Sequence, residues 1–376
     1  MRVAIIGAGL FGCVSAIELS KHGHQVTVFE TNDEILKNAS EVNQARLHTG
    51  MHYPRDFETA SRAKADHDLF KNVFPEAVIP IQQIYVVGKG SKVSYPNFVD
   101  FGNKLGLDLD EIPCPELLNP ELIEGALQVP ESTIDISVLR DTLKSALSLW
   151  SVEVRLGCPI TSVSFDNGKP AVSSVGARVD YDYLIVASYS TVETFASELG
   201  ISFRPTKKQL TEVVLCKIPL LAGTGITVMD GPFWSTMPYG LSGLHSLTSV
   251  VHTPILEATS EKLNCQLQHK TCGEISVANC NNCEVRPGSV NQKIINHFRS
   301  YLRHDIQIAY SHSIYAVKSL PSDAIANFTD HRPTELFHSP ESRVILVHSG
   351  KLGSAISFAR DCIVLLSEIG AEDEPN

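Results

Sequence analysis

The sequence predicts an α/β protein in which a doubly wound dinucleotide-binding unit interleaves with a second region of mixed-sheet α+β character. Three observations predict it. At the N-terminus an apolar run, a glycine-rich turn and a helix-like segment follow one another; a second apolar run then ends in a carboxylate; and a strand, turn and helix pattern returns near the C-terminus. A chain of 376 residues also exceeds the length at which one core usually stops growing, so two structural regions are expected.

Each element follows from local pattern. Arg2 to Ile6 reads as a buried strand, Gly7 to Gly12 as a turn, Cys13 to His22 as a helix and Gln25 to Phe29 as the parallel neighbour of the first strand. Thr31 to Arg55 lacks sustained periodicity and reads as a working loop. Ile79 to Val87 is a strand that opens the second region, with a helix ending near Leu105; Pro113, Pro115, Pro120 and Pro130 then mark a connector. Ser137 to Trp150 has helical spacing, Val152 to Leu156 and Ile160 to Phe165 alternate, and Tyr183 to Ala187 is a buried strand, all read as a return to the first region. Glu212 to Lys217, Leu244 to Val251 and Ile306 to Val317 are strand candidates, and Asn291 to Leu302 a helix. Val344 to His348 and Gly350 to Ile369 supply the last strand, turn and helix, before an irregular acidic tail from Ala371. These readings assign residues 1–75, 130–205 and 320–376 to the dinucleotide-binding domain, and 76–129 and 206–319 to a substrate domain.

Composition narrows the function. With 43% hydrophobic and 19% charged residues the chain can bury a real core, and a formal charge of −11 argues against bulk electrostatic binding of nucleic acid or an anionic membrane. No apolar run reaches the roughly 18 residues that a membrane helix needs. Nine cysteines without a regular framework fit a reducing, cytoplasmic setting. Arg2, the apolar stretch to Gly12 and Cys13 also resemble a short leader, but the same residues fit a strand, turn and helix.

Gly7, Gly9 and Gly12 form G-x-G-x-x-G between a strand and a helix, with Leu10 and Phe11 inside the motif. The spacing allows a tight turn, a close approach of pyrophosphate and close helix packing, with positive potential at the helix start. Glu30 ends the second strand, placed to accept hydrogen bonds from a ribose. This is the Rossmann fingerprint, and by itself it does not separate FAD from NAD.

Beyond the fingerprint the chain resembles the D-amino-acid oxidase and glycine oxidase superfamily of FAD proteins. Asn43-Gln44-Ala45-Arg46-Leu47-His48-Thr49-Gly50-Met51-His52-Tyr53 is similar to the flavin-contacting loop N-S-G-V-I-H-x-G-x-Y-Y of the 2-hydroxyglutarate oxidase branch; Gln44, Ala45 and Arg46 depart from it. Arg332-Pro333, followed by Ser342 to Leu346, resembles the family's R-P segment, and Gly350-Lys351-Leu352-Gly353-Ser354 its last glycine turn. The resemblance implies FAD as cofactor, contacts to it from residues 43–48, Ile160 and 350–354, and a grip on a substrate carboxylate by Arg332.

Within that frame each candidate has a role and a rival. Arg332 would hold a carboxylate bidentately, or form a surface ion pair. His48 and His52 are candidate bases for an alcohol substrate, or loop-holding histidines. Lys351 would stabilise negative charge on reduced flavin, or be a solvated lysine. Tyr239, His245, His252, Tyr315 and Lys318 would line a substrate pocket, or be ordinary structure. Cys265, Cys272, Cys280 and Cys283 crowd one segment ending in C-x-x-C, which would close a structural zinc site or be free thiols. The expected activity is oxidation of a C–N or C–O bond in a small, carboxylate-bearing amino or hydroxy acid, with oxygen or another acceptor taking the electrons. The rival is flavin-dependent modification of a sugar nucleotide or other biosynthetic intermediate, without net oxidation. A further rival is an FAD-binding module without activity.

Overall fold

A computed structural model describes residues 1–166, 168–174, 176–258, 281, 283, 286–322, 331, 333–348 and 350–372, the side chains of 369–372 excepted. Two sheets organise it. The first has six strands in the order Glu335–Ser339, Val344–His348, Tyr183–Val186, Arg2–Ile6, Gln25–Phe29 and Glu153–Arg155; all neighbours are parallel except the hairpin formed by the first two. Alternation along Arg2–Ile6 decides what covers each face. Val3 and Ile5 pack on the helices Leu10–Lys21, Ile136–Leu149 and Ala355–Glu372, whereas Ala4 and Ile6 face Val163 and Val172 of a small three-stranded sheet. Burial on both sides explains the unbroken apolar runs.

The helix Leu10–Lys21 begins inside the glycine turn, three residues before the sequence reading placed it, because Gly9 serves as its N-cap. Gly7 has φ +103°, and Gly12 lies directly against the Gly7 carbonyl. Both positions require glycine.

The second sheet has ten strands, and along its main path Pro254–Ala258, Thr206–Lys217, His245–Ser249, Trp234–Pro238, Thr224–Met229, Val78–Gly88, Ile123–Ile134 and Arg46–Leu47 succeed one another. Ala309–Pro321 pairs with Thr206–Lys217, and Asp110–Ile112 with Ile123–Ile134. Ile84 and Val86 pack under the helix Asn291–Arg299, while Tyr85 and Val87 face the helix Tyr95–Lys104 on the other side.

The connector expected around Pro130 is instead the twelve-residue strand Ile123–Ile134. Pro130 opposes Gln82 on one side; on the other it falls between the partners of Gln128 and Ser132, so no strand there uses its missing N–H. Ile160 to Phe165, read as alternating and part of the first region, lies in the strand Ile160–Asp166 of the separate three-stranded sheet, which packs on the first. The last helix continues to Glu372, into the stretch read as an irregular tail.

Candidate active site

A cavity of about 790 Å³ runs along the carboxyl end of the parallel sheet and on to the second sheet. That is where ligands of open α/β sheets bind. At one end stand Gly7, Gly9, Leu10, Phe11 and Glu30; at the other, Arg46, His48, His52, Lys351 and Leu352. Asn43, Gln44, Ile160 and Gly350 also line it. Sequence-distant candidates thus meet on one surface.

The glycine end is built by backbone. A Cβ on Gly7 would come within 2.7 Å of the Ala187 carbonyl, and the helix start, whose N-cap Gly9 has no side chain, opens onto the cavity. The Glu30 carboxylate accepts the Ala8 N–H at 2.7 Å and the Asn32 N–H at 2.9 Å, which ties the strand end to the glycine turn. Ser40 accepts the Leu10 N–H at 3.1 Å. Local spacing could not announce Ser40, which arrives from the irregular loop.

That loop is held by its own side chains. Asn43 Oδ1 accepts the Ala45 N–H at 2.5 Å, while its amide donates to the Ala39 and Ser40 carbonyls. Ala45 has φ +56° where the family pattern carries glycine, a left-handed conformation that the Asn43 contact supports. Tyr239 donates from its hydroxyl to the Glu41 carbonyl at 2.7 Å, a clamp on the same loop.

Beyond the turn, Arg46 enters the second sheet opposite Thr133 and turns its side chain across the sheet face. Thr227 is in register with both Ser235 and Tyr85, so these three side chains form a row across neighbouring strands. Arg46 spans the row. It donates to Thr227 at 2.5 Å, Ser235 at 2.8 Å and Tyr85 at 3.3 Å, and its Nε lies 3.8 Å from Glu131. Both charged side chains are buried, and removal from water raises the Glu131 carboxyl while Arg46, Tyr85 and Thr49 oppose the rise.

His48 follows, stacked 5.0 Å from His52 and 5.4 Å from Tyr53. Burial holds its imidazole well below the usual histidine range, and His52, Lys351 and Arg46 add to the effect. It is a neutral imidazole near pH 7. The Lys351 ammonium stands 4.2 Å over the Tyr53 ring, and Thr334 fixes the turn beneath Lys351 by accepting the Gly350 N–H at 3.0 Å.

Other candidates lie away from the cavity. Gly12, Ala45, Leu47, Gly353 and Ser354 support its walls; Gly353 is tight against Leu47, and Ser354 bonds Thr334. His245 Nε2 binds the Leu221 carbonyl at 2.8 Å, His252 meets His297 edge-on, and Tyr315 lies under Arg286. Neither these three nor Tyr239 is on the cavity wall; Lys318 is on it. Arg332, Cys265, Cys272 and Cys280 lie outside the described residues. Cys283 is a free thiol, and no group of three or more potential metal ligands occurs among the described residues. The zinc site therefore finds no support. No helix among the described residues is long and apolar enough to cross a membrane.

Fold and cavity together define a dinucleotide-binding α/β enzyme whose cavity joins a nucleotide end to a neutral imidazole. The family model described as FAD dependent oxidoreductase matches residues 2–242, and the chain belongs to that family. A full-length relative, the FAD-dependent monooxygenase FPY4 of Fusarium mangiferae, is 25% identical over 373 residues, covering 97% of this chain and 90% of its own. The FAD-dependent monooxygenase kojA of Aspergillus flavus is 25% identical over 251 residues, 63% of this chain and 58% of its own. Among solved structures, glycine oxidase from Geobacillus kaustophilus superposes with TM-score 0.73 at 14% identity, covering 100% of this chain and 96% of its own. L-proline dehydrogenase from P. horikoshii gives 0.72 at 11%, with 98% and 93% covered.

FAD fits the residues present: a glycine cradle without side chains, a helix start on the cavity wall, the Glu30 carboxylate and a continuous cavity. The protein is an FAD-dependent oxidoreductase.

Proposed function

We propose that the enzyme oxidises a C–N or C–O bond of a small polar substrate bearing a carboxylate, an amino or hydroxy acid, with His48 as the base. The observation that carries this reading is the place of His48 on the cavity wall together with Lys351, where burial disfavours its charged form.

Bound FAD supplies a two-electron acceptor for the hydride that leaves the substrate carbon. The chain's own groups do the rest. Gly7 and Gly9 leave room for the pyrophosphate, the helix start presents N–H groups to it, and Glu30 accepts from the ribose. His48 takes the hydroxyl proton of a hydroxy acid as the carbon–oxygen double bond forms; with an amine it leaves the neutral amine in place to react. Lys351 places positive charge where electrons accumulate, and Arg332 grips the carboxylate. On this reading residues 1–75, 130–205 and 320–376 form the FAD domain, and 76–129 and 206–319 the substrate domain.

The test is anaerobic addition of amino acids and hydroxy acids to purified, FAD-loaded protein while the flavin absorption is followed. Bleaching by one acid class, lost in His48→Gln and Arg332→Ala, is the expected result. A flavin that neither class bleaches overturns the reading. The full-length relative's name favours a second reading, insertion of an oxygen atom into the substrate. Label from ¹⁸O₂ in the organic product, with a stoichiometric external reductant, selects it.

A further inference from the structure

Three buried polar atoms beside the cavity make no hydrogen bond: Arg46 Nε, His48 Nδ1 and Glu131 Oε2. They converge on one carboxylate. Arg46 Nε lies 3.8 Å from Glu131 Oε2, and His48 Nδ1 lies 4.0 Å from Glu131 Oε1. Tyr85 donates to the same Oε1 at 2.9 Å and the Thr49 N–H at 3.2 Å, so the carboxylate is anchored from two elements. A buried glutamate with one oxygen lacking a hydrogen bond, beside two further polar atoms in the same state, is expensive unless those groups pair at some stage of the cycle.

We infer that Glu131 is the positioning residue of His48: its carboxylate accepts the Nδ1–H, which sets the tautomer and leaves Nε2 bare to take the substrate proton. An approach of about 1 Å brings the pair into hydrogen-bond range. Such contacts are often long before substrate binds and tighten with it. Arg46 fits the scheme, since its three hydroxyl partners fix the guanidinium and its charge favours the ionised carboxylate. In turnover the proton leaves the substrate hydroxyl for His48 Nε2 and passes to solvent after product departs; Glu131 stays ionised throughout. The groups that face His48 are His52 and Tyr53 of its own loop, Arg46 from the adjoining strand, His67 from the helix Phe57–Val73, Lys351 from the opposite turn, and Glu131. Glu131 is the carboxylate of that set. No sequence motif marks it, because 82 positions separate it from Thr49 of the loop it serves.

This inference rests on His48 as the base, and the experiment separates the two. FAD-loaded protein is labelled with ¹⁵N-histidine, and the His48 ring signals are assigned by their loss in His48→Gln. The expected spectrum is the Nδ1–H tautomer. In Glu131→Gln the amide can donate to Nδ1, so the signal shifts to Nε2–H, the acid limb of the flavin-reduction profile moves down in pH, and reduction slows roughly 10²-fold. An Nε2–H tautomer in the unaltered protein overturns the inference, and that spectrum decides even if Glu131→Gln fails to fold. A Glu131→Gln protein of lower melting temperature with an unchanged tautomer assigns Glu131 to stability alone and also overturns it. Turnover that survives His48→Gln, with the Nδ1–H tautomer seen in the unaltered protein, removes the base while leaving the Glu131–His48 contact standing.

Discussion

Gly12 faces the carbonyl of Gly7 so closely that a methyl carbon on Gly12 would lie 1.9 Å from that oxygen. The contact is backbone against backbone, so neither side can rotate away. Gly12→Ala is expected to abolish FAD retention, and to lower stability by about 2 kcal/mol or more through displacement of the helix Leu10–Lys21. Flavin content of the purified variant and its urea midpoint check this. A variant that keeps both would show that the turn has slack.

Arg46 makes its contacts on four strands, and its loss removes the largest charge that favours the buried Glu131 carboxylate. Arg46→Met is expected to destabilise the protein by about 3–5 kcal/mol. Adding Glu131→Gln should recover part of that loss, because the stranded charge is gone. Equilibrium unfolding of the two singles and the double gives the coupling; strictly additive effects would deny that the pair acts as a unit.

His48 is held neutral in the fold by burial and by cationic neighbours, whereas its unfolded form takes up a proton near pH 6.5. The folded state therefore binds fewer protons. The stability contributed by neutral His48 is complete above pH 6.5 and is lost as the pH falls below it towards the depressed folded value. Unfolding free energies of the protein and of His48→Gln, compared between pH 7.5 and 5, should converge in acid with a slope of up to about 1.4 kcal/mol per pH unit. Parallel curves would place the titration elsewhere.

Tyr239 was a natural pocket candidate by sequence, yet its hydroxyl is spent on the Glu41 carbonyl and its ring is off the cavity wall. Tyr239→Phe is expected to cost about 1 kcal/mol of stability and to leave KM for the substrate within twofold. A large rise in KM without loss of stability would return Tyr239 to the substrate site.

The nucleotide half was legible because its signals are local. Two buried strands, three glycines and Glu30 fall within thirty residues, and each physical requirement acts on near neighbours. The chemistry end was legible only in outline. His48 and Lys351 could be named from a resemblance, but the floor beneath them depends on register. Arg46 reaches Tyr85, Thr227 and Ser235 only because Thr227 is aligned with both of the others, a relationship spread over 151 positions from Tyr85 to Ser235. Glu131 was hidden by its neighbour as well. Pro130 made the stretch read as a connector, although the gap between two short partner strands lets a proline sit inside a long one.

The strand order of the parallel sheet also sets a timetable for synthesis. Arg2–Ile6 lies at its centre, but a strand on its Tyr183–Val186 side, Val344–His348, leaves the ribosome some 340 residues later. At roughly 5–20 residues per second that interval is on the order of 20–70 s. For the second half of it the apolar edge of Tyr183–Val186 waits without its outer neighbour, and for nearly all of it Leu10–Lys21 lacks the closing helix Ala355–Glu372. A nascent chain of this topology needs shelter until its end emerges, and its yield in a cell should respond to chaperone supply more than its final stability would suggest.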